Sequence, residues 1–248
     1  MSTPPLSPLE MSVRSADGII LKGQLEYPET AVGSRYPMAI LAHQYPATCD
    51  SYGPLVDDLL DLGVAALAFD LRGHGSSITG PGGPVVIDTP VGFTPDDFGR
   101  AFMASAREVG FDRIDDDILR VASWGASQNY IDTARLMLVG ASVGGSAALL
   151  AAPRIQGLRA AVTLGAAGAP AWGEDGPARV RKAVEGLKAR CYLASSEHDP
   201  FSGADNVRNW SQGLAHVSTR IVAGNAHAMA IYYDVRDELL EWIRGAMK

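Results

Sequence analysis

The segment ARLMLVGASVGGSAALLAA, residues 134–152, carries the strongest structural signal in the chain. Its first part, 134–139, is apolar and strand-like, and its last part, 146–152, has the small apolar residues of a buried helix. The pattern Gly-x-Ser-x-Gly lies between them with Ser142 at its centre, and in this setting it predicts a tight strand-to-helix turn. Such a turn exposes the serine hydroxyl above the unpaired N–H groups of the helix amino terminus. We therefore predict that Ser142 is a nucleophile.

Strand-like and helix-like segments alternate on both sides of this turn. Such alternation favours an α/β fold, with a mostly parallel central sheet and helices on both faces. The amino-terminal part differs, because residues 11–14 and 19–26 flank Asp17-Gly18, a strong signal for an antiparallel hairpin. Further strands are predicted at 38–42, 64–69, 136–139, 160–164, 191–194 and 220–222, and helices at 54–62, 178–188, 204–214 and 235–247.

The segment before the serine turn contains a loop and two helices. Residues 80–93 are rich in proline and glycine, which predicts a loop. A helix is predicted to start at Thr94, with Pro95 at its first position and two aspartates in its first turn. A second helix is predicted at 112–124. The loop emerges at the carboxyl edge of the sheet, so we interpret it either as a small lid or as a solvated connector.

Composition limits the possible partners of the chain. It has 248 residues, of which 47% are hydrophobic, and a formal net charge of −7. We find no linker-like segment and expect a flexible tail at 1–10 followed by a single domain at 11–248. An acidic chain without a basic stripe argues against nucleic acid as a partner. No apolar run approaches about 18 residues and no secretory signal is present, so we expect a cytoplasmic protein with no membrane partner.

The two cysteines give no sign of a disulfide or a metal site. Cys49 is predicted to lie in a loop and Cys191 in a buried strand, so two free thiols are expected. Neither has the spacing of a metal ligand. No metal or other cofactor is predicted.

A serine nucleophile needs a base, and His227 is the best placed of the five histidines. Reactive groups of a parallel sheet gather where strands end, and His227 directly follows the strand at 220–222. The other four are interpreted as loop-bracing or surface residues, since they precede the serine, lie at the opposite edge or adjoin the acid candidate: His43, His74, His216 and His198.

The acid that would hold this histidine in the required tautomer is predicted to be Asp199. It follows the strand at 191–194 and has Pro200 closing the turn behind it. Glu197 lies two residues nearer the strand and is the main alternative, and Asp175 is a more distant one. Taken alone, an aspartate at this position could simply cap a turn.

The order Ser142, Asp199, His227, with each residue after its own strand, resembles the α/β-hydrolase family. The segment FDLRGHGSS, residues 69–77, is similar to the family's Asp-x-Arg-Gly-His-Gly-x-Ser turn. We interpret the arginine and histidine of that turn as structural, since they can tie loops together by hydrogen bonds. The resemblance covers nearly the whole chain and implies the α/β-hydrolase fold, with a site similar to those of esterases and dienelactone hydrolases.

The resemblance also implies an oxyanion hole made of two backbone N–H groups. One belongs to the residue after the nucleophile, Val143, and the other to the loop that follows the strand at 38–42. The family usually has His-Gly-x in that loop, whereas this chain has His-Gln44-Tyr45-Pro. By position Tyr45 is expected to supply the second N–H, although Gln44 could supply it instead, or Tyr45 could donate through its phenol.

The same loops are expected to form the walls of a substrate pocket. The family's large cap usually follows the strand that here ends at 164, but only residues 165–176 are available there. The chain is therefore expected to be nearly capless. The candidates for substrate contact are Gln44, Tyr45, Trp172, Phe201 and Met229.

These observations predict a serine hydrolase that cleaves carboxylic esters of small or short-acyl substrates through an acyl-enzyme intermediate. Thioesterase, peptidase, lactonase, carbon–carbon hydrolase and perhydrolase chemistry use the same triad and stay as alternatives. A non-catalytic binding protein is a remote alternative, because binding alone does not require these three residues at three strand ends. The expected partner is a small-molecule ester, and assembly into a homo-oligomer is left open.

Overall fold

The computed structural model describes residues 7–29, 35–92 and 94–248, which build a ten-stranded sheet covered by helices on both faces. The strands are β1 (Leu9–Arg14), β2 (Ile20–Glu26), β3 (Tyr36–Ala42), β4 (Ala65–Phe69), β5 (Thr79–Gly80), β6 (Gly83–Pro84), β7 (Ile131–Ala141), β8 (Leu158–Leu164), β9 (Arg190–Ser196) and β10 (Val217–Val222). The helices are α1 (Gly53–Asp61), α2 (Pro95–Ser105), α3 (Ile114–Ala126), α4 (Val143–Ala151), α5 (Gly176–Glu185), α6 (Gly203–Ser211) and α7 (Tyr232–Ala246).

Six neighbouring strands run parallel, in the order β4, β3, β7, β8, β9, β10. At the other side of the sheet, β2 pairs antiparallel with both β4 and β1. The predicted α/β fold with an amino-terminal antiparallel hairpin is therefore confirmed. Because parallel strands end at one edge, the loops that follow β7, β9 and β10 meet there.

The amino-terminal hairpin begins earlier than predicted. Leu9 pairs with Leu25 and Glu10 pairs with Gln24, so these two residues of the predicted flexible tail belong to a strand. Their partners lie in β2, and the composition of residues 1–10 does not reveal this pairing. The first six residues of the predicted tail lie outside the described part of the chain.

Two apolar cores flank the sheet, because successive side chains of a strand point to opposite faces. On β3, Met38 and Ile40 pack into one core, and Ala39 and Leu41 pack into the other. The first core is closed by α3, α4, α5 and α6, and the second by α1 and α7. The sheet is thus covered on both faces, and the loops that connect strands and helices lie at the ends of the strands.

Helix α2 starts where the sequence predicts. The Thr94 hydroxyl accepts the Asp97 N–H at 3.2 Å, and the Asp97 carboxylate accepts the Thr94 N–H at 3.2 Å. This reciprocal capping satisfies two N–H groups that the helix itself leaves free, and Pro95 occupies the first helical position. Of its eleven residues only Ser105 is buried. Helix α2 therefore lies on the surface of the fold, with the partly buried side chains of Phe98, Ala101 and Phe102 packed against the first core.

Both cysteines are free thiols, as predicted. Burial raises the pKa of each thiol to about 12, with Asp70 adding to the effect at Cys49, so both stay protonated at neutral pH. None of the helices in the described part of the chain combines the length and the apolar character that a bilayer crossing requires. The same residues hold no group of three or more metal-ligating side chains.

Arg72, in the Asp-x-Arg-Gly-His-Gly-x-Ser turn, is buried and joins three segments of the fold. Its guanidinium donates to the Asp117 carboxylate of α3 at 2.7 and 3.0 Å. It also donates to Asp17 in the β1–β2 turn at 3.0 and 3.1 Å, and to the Val109 carbonyl at 3.2 Å. Such paired, charge-assisted hydrogen bonds fix geometry strongly. The predicted structural interpretation of this arginine agrees with these contacts.

We expect Arg72→Ala to lower the free energy of unfolding by about 3–5 kcal/mol, because it leaves the buried Asp117 carboxylate without its cation. Urea denaturation followed by circular dichroism measures this loss. Arg113→Ala is the matched control, since Arg113 also bonds Asp17, at 2.8 Å, but has a side chain that is 53% exposed. That variant should lose less than about 1 kcal/mol. Equal losses of unfolding free energy in the two variants would contradict the structural role of Arg72.

Candidate active site

The turn between β7 and α4 holds Ser142 in a strained backbone conformation, with φ 50° and ψ −119°. Conformations of this kind cost about 1–3 kcal/mol and persist where surrounding packing enforces them. A Cβ at Gly140 would lie 2.3 Å from the Gly144 oxygen, and one at Gly144 would lie 2.1 Å from the Ala42 oxygen. The two glycines of the motif are therefore required by close backbone contact, as the sequence pattern predicts.

Three side chains from three loops are hydrogen-bonded in a row at the carboxyl edge of the sheet. The Ser142 Oγ lies 2.9 Å from His227 Nε2, and His227 Nδ1 lies 2.8 Å from Asp199 Oδ2. Because a carboxylate can only accept, Nδ1 carries the proton and Nε2 is free to accept the serine proton. The residues that the strand order predicts to meet are thus in contact.

The Asp199 carboxylate is fully buried and held by further donors. Its Oδ1 accepts the Phe201 N–H at 2.8 Å, and its Oδ2 accepts the Ser195 hydroxyl at 3.3 Å. These contacts orient the carboxylate toward His227. The two alternative acids lie elsewhere, since Glu197 and Asp175 are both exposed to solvent. Of the three candidates, the structure brings only Asp199 to the histidine.

Two of the remaining histidines brace loops behind the site. His43 Nε2 accepts the Leu71 N–H at 2.9 Å, and His74 Nδ1 donates to the Arg72 carbonyl at 2.9 Å. Burial, with His74 nearby, lowers the pKa of His43 to about 3, and burial also lowers the pKa of His74. Both rings are therefore neutral at ordinary pH.

The last two histidines lie away from the serine. His216 directly precedes β10 and donates a hydrogen bond to the Val184 carbonyl at 3.0 Å. His198 is exposed to solvent. Neither contacts Ser142. Their positions agree with the interpretation as loop and surface residues.

The two predicted oxyanion donors, the N–H groups of Val143 and Tyr45, have no acceptor among the described residues. The N–H of Gln44, the alternative donor, has none there either, so that alternative stays open. Val143 opens α4, where the first N–H groups have no partner within the helix. The Tyr45 phenol instead donates to the Asp88 carbonyl at 2.6 Å. The alternative in which this phenol donates to the substrate is therefore wrong, because its proton already has an acceptor outside the site.

A cavity of about 140 Å³ opens above Ser142. It is lined by aromatic and small side chains together with the serine and its histidine, and none of the lining residues is charged. An apolar cavity with one polar cluster is typical of a small-molecule site. The lining residues are Tyr45, Phe98, Gly99, Phe102, Ser142, Ala167, Gly168, Phe201 and His227.

Two predicted pocket residues line this cavity, Tyr45 and Phe201, and three do not. Trp172 is 4% exposed, and its indole N–H donates to Asp115 at 2.9 Å, so its side chain is used in packing. Met229 lies in the core beneath α7. The Gln44 side chain is absent from the cavity wall, and its Oε1 is buried without a hydrogen-bond partner among the described residues. The sequence places all three on suitable loops but does not fix where their side chains point.

Helix α2 forms a wall of the cavity that was not predicted from the sequence. Phe98, Gly99 and Phe102 all come from it, and Ala167 and Gly168 come from the loop after β8. The spacing of the two phenylalanines, one helical turn apart, could have indicated an inner face. The short connection after β8 carries no cap, as predicted, but α2 covers the site from the other side.

Residues 80–92 of the loop that the sequence presents as either a lid or a solvated connector do not line the cavity. The loop residues Asp88, Thr89 and Val91 instead border a separate hollow against the outer flank of α2. The Asp88 N–H donates to the Ser105 hydroxyl at 2.8 Å, which ties this loop to the end of the helix. Within the described residues the loop thus supports α2 from outside, and the covering element is the helix. Phe93 lies outside the described part of the chain.

Comparison with known proteins finds a matching family model. The model of the family described as serine aminopeptidase, S33, matches residues 37–212. A search of curated proteins finds no significant match.

Three solved structures illustrate the likeness of fold. The highly thermostable carboxyl esterase from Bacillus coagulans has a TM-score of 0.68 and 14% sequence identity, with 98% of this chain and 100% of that chain covered. The esterase from Pyrococcus furiosus has a TM-score of 0.67 and 15% identity, with 100% and 98% covered. The dienelactone hydrolase from Anabaena variabilis has a TM-score of 0.62 and 18% identity, with 98% and 100% covered. At these identities the likeness shows the fold alone.

Proposed function

Because this chain belongs to the serine aminopeptidase S33 family of α/β hydrolases, we propose that it is a serine hydrolase that cleaves esters of short, uncharged acyl groups. The observation that carries the proposal is the hydrogen-bonded row of Ser142, His227 and Asp199 at the base of an uncharged cavity. With these groups in place, the reaction further requires an ester whose carbonyl carbon can reach the Ser142 Oγ.

Acylation begins when the Ser142 Oγ attacks the ester carbonyl carbon and its proton passes to His227 Nε2. Negative charge then develops on the carbonyl oxygen, where the free N–H groups of Val143 and Tyr45 are proposed to stabilise it. His227 returns the proton to the leaving alkoxide, the carbon–oxygen bond to the alcohol breaks, and an acyl-serine remains. Asp199 stays ionised throughout and stabilises the charged imidazole.

Deacylation repeats these steps with water. His227 removes a proton from a water molecule, whose oxygen attacks the acyl carbon of the acyl-serine. The new intermediate collapses with return of the proton to the Ser142 oxygen, which releases the carboxylic acid. One ester and one water thus give one acid and one alcohol.

Aminopeptidase activity is the second candidate, because the family description carries that name. Recognition of a free amino terminus requires an anionic group close to the substrate ammonium. Among the described residues no Asp or Glu lines the cavity, and the Asp199 carboxylate is fully buried behind His227. The cavity therefore favours an uncharged acyl group over an amino-terminal residue.

We expect kcat/KM on p-nitrophenyl esters to rise from acetate to a short acyl chain and then level off or fall. Each buried methylene contributes about 0.8 kcal/mol, but only while the cavity holds it. A volume of about 140 Å³ is close to that of a cavity of about 150 Å³ that binds benzene, which suits a chain of a few carbons. Initial rates over the series from acetate to palmitate measure this profile.

Two results would contradict the proposal. A steady rise in kcat/KM through to palmitate would indicate a long groove of the kind lipases have. Faster cleavage of amino-acid p-nitroanilides than of every ester in the series would favour the aminopeptidase.

A further inference from the structure

Gly99 lies within a helix, where glycine is about 1 kcal/mol less favourable than alanine. Nothing in the surrounding packing requires it. Its φ is outside the left-handed region, and a Cβ built at this position meets no atom within 4 Å. The absent side chain therefore leaves space, and Gly99 is one of the residues that line the cavity.

The neighbouring residues of α2 are anchored on both sides of Gly99. Phe98 packs against Phe201, with 6.3 Å between ring centroids, and Phe201 lies edge-on to His227 at 4.7 Å. Phe102 packs against Gly168, where an added Cβ would lie 2.8 Å from the phenylalanine Cζ. The two phenylalanines thus seat the helix over the site, and the position between them is open.

The position of Gly99 on the helix indicates where that space lies. At 100° per residue, Gly99 shares a flank of α2 with Met103, which is 48% exposed. The opposite flank, with Ala101 and Ala104 about 160° and 140° away, faces the loop that carries Asp88. A side chain at position 99 would therefore project beside the cavity and away from the supporting loop.

We propose that Gly99 is a specificity-determining residue, whose missing side chain keeps open the space into which the acyl chain extends beyond Ser142. This inference rests on the proposed function, since it concerns the acyl group of that reaction. The helix pays for this opening with lower intrinsic stability, which explains a glycine at a position where alanine would fit.

The test compares Gly99→Leu with the wild type on p-nitrophenyl acetate and butyrate. A leucine should exclude the two extra methylenes of the butyryl group, at about fourfold in kcat/KM for each. The ratio of kcat/KM for butyrate to that for acetate should therefore fall by about fifteenfold. Ala104→Leu, which adds the same side chain to the other flank of α2, is the matched control and should leave the ratio unchanged.

An unchanged ratio in a folded Gly99→Leu protein, or an equal fall in Ala104→Leu, overturns the proposal. Thermal unfolding checks the fold of each variant, and Gly99→Ala repeats the test with a smaller fall if the leucine variant does not fold. The proposed function fails separately, because in that case the wild type itself turns over neither ester.

Discussion

Ser142→Ala is expected to lower kcat for ester hydrolysis by about a million-fold, the loss typical of removing the nucleophile of a triad. The expectation rests on the strained turn between β7 and α4, which places the Ser142 Oγ 2.9 Å from His227 Nε2. The strain is enforced by the close backbone packing that the two flanking glycines allow, and not by the hydroxyl. The variant should therefore unfold at nearly the wild-type temperature.

Purified protein and a fluorophosphonate probe provide the measurement. The probe should label the wild type at Ser142 and leave the alanine variant unlabelled. Ser123→Ala is the control, because Ser123 is exposed on α3 and lines none of the cavity above Ser142. More than about 1% of wild-type kcat in Ser142→Ala, against the loss that removal of a nucleophile causes, would exclude this residue as the nucleophile.

Asp199→Asn should lower kcat by about ten thousand-fold, because an amide does not hold the Nδ1–H tautomer of His227. Glu197→Gln is the matched control, since it makes the same change two residues away on an exposed side chain. That variant should keep nearly all of its activity. Steady-state kinetics of the two purified variants show which carboxylate orients His227. The reverse ranking of their activities would assign that role to Glu197.

The fold was predictable because its main signals are local. Continuous apolar segments at 38–42 and 136–139 indicate strands covered on both faces, and Asp17-Gly18 indicates a hairpin. The contact of Ser142 with His227 was also predictable, although the two are 85 residues apart. Parallel strands end at one edge, so residues that directly follow them are brought together by topology alone.

The walls of the cavity were not predictable in the same way, because side-chain direction depends on distant partners. Trp172 turns inward to Asp115, a residue 57 positions earlier in the chain. Which element covers the cavity depends equally on contacts between residues far apart in the sequence. The sequence distinguishes the loop at 80–93 from the helix that follows it. It does not show that the helix covers the cavity, because this depends on the hydrogen bonds of Asp88 to Tyr45 and Ser105, which hold the loop outside the cavity.

The single buried residue of α2 has a consequence for how such an enzyme diversifies. Most of the buried apolar side chains lie in the two cores that flank the sheet, whereas the helix that bounds the substrate cavity adds three partly buried side chains to one of them, those of Phe98, Ala101 and Phe102. Mutations at the other positions of residues 95–104 should therefore be close to neutral for stability. Descendants of this chain can acquire new substrate preferences through that helix while the fold and the turn that carries Ser142 are inherited unchanged.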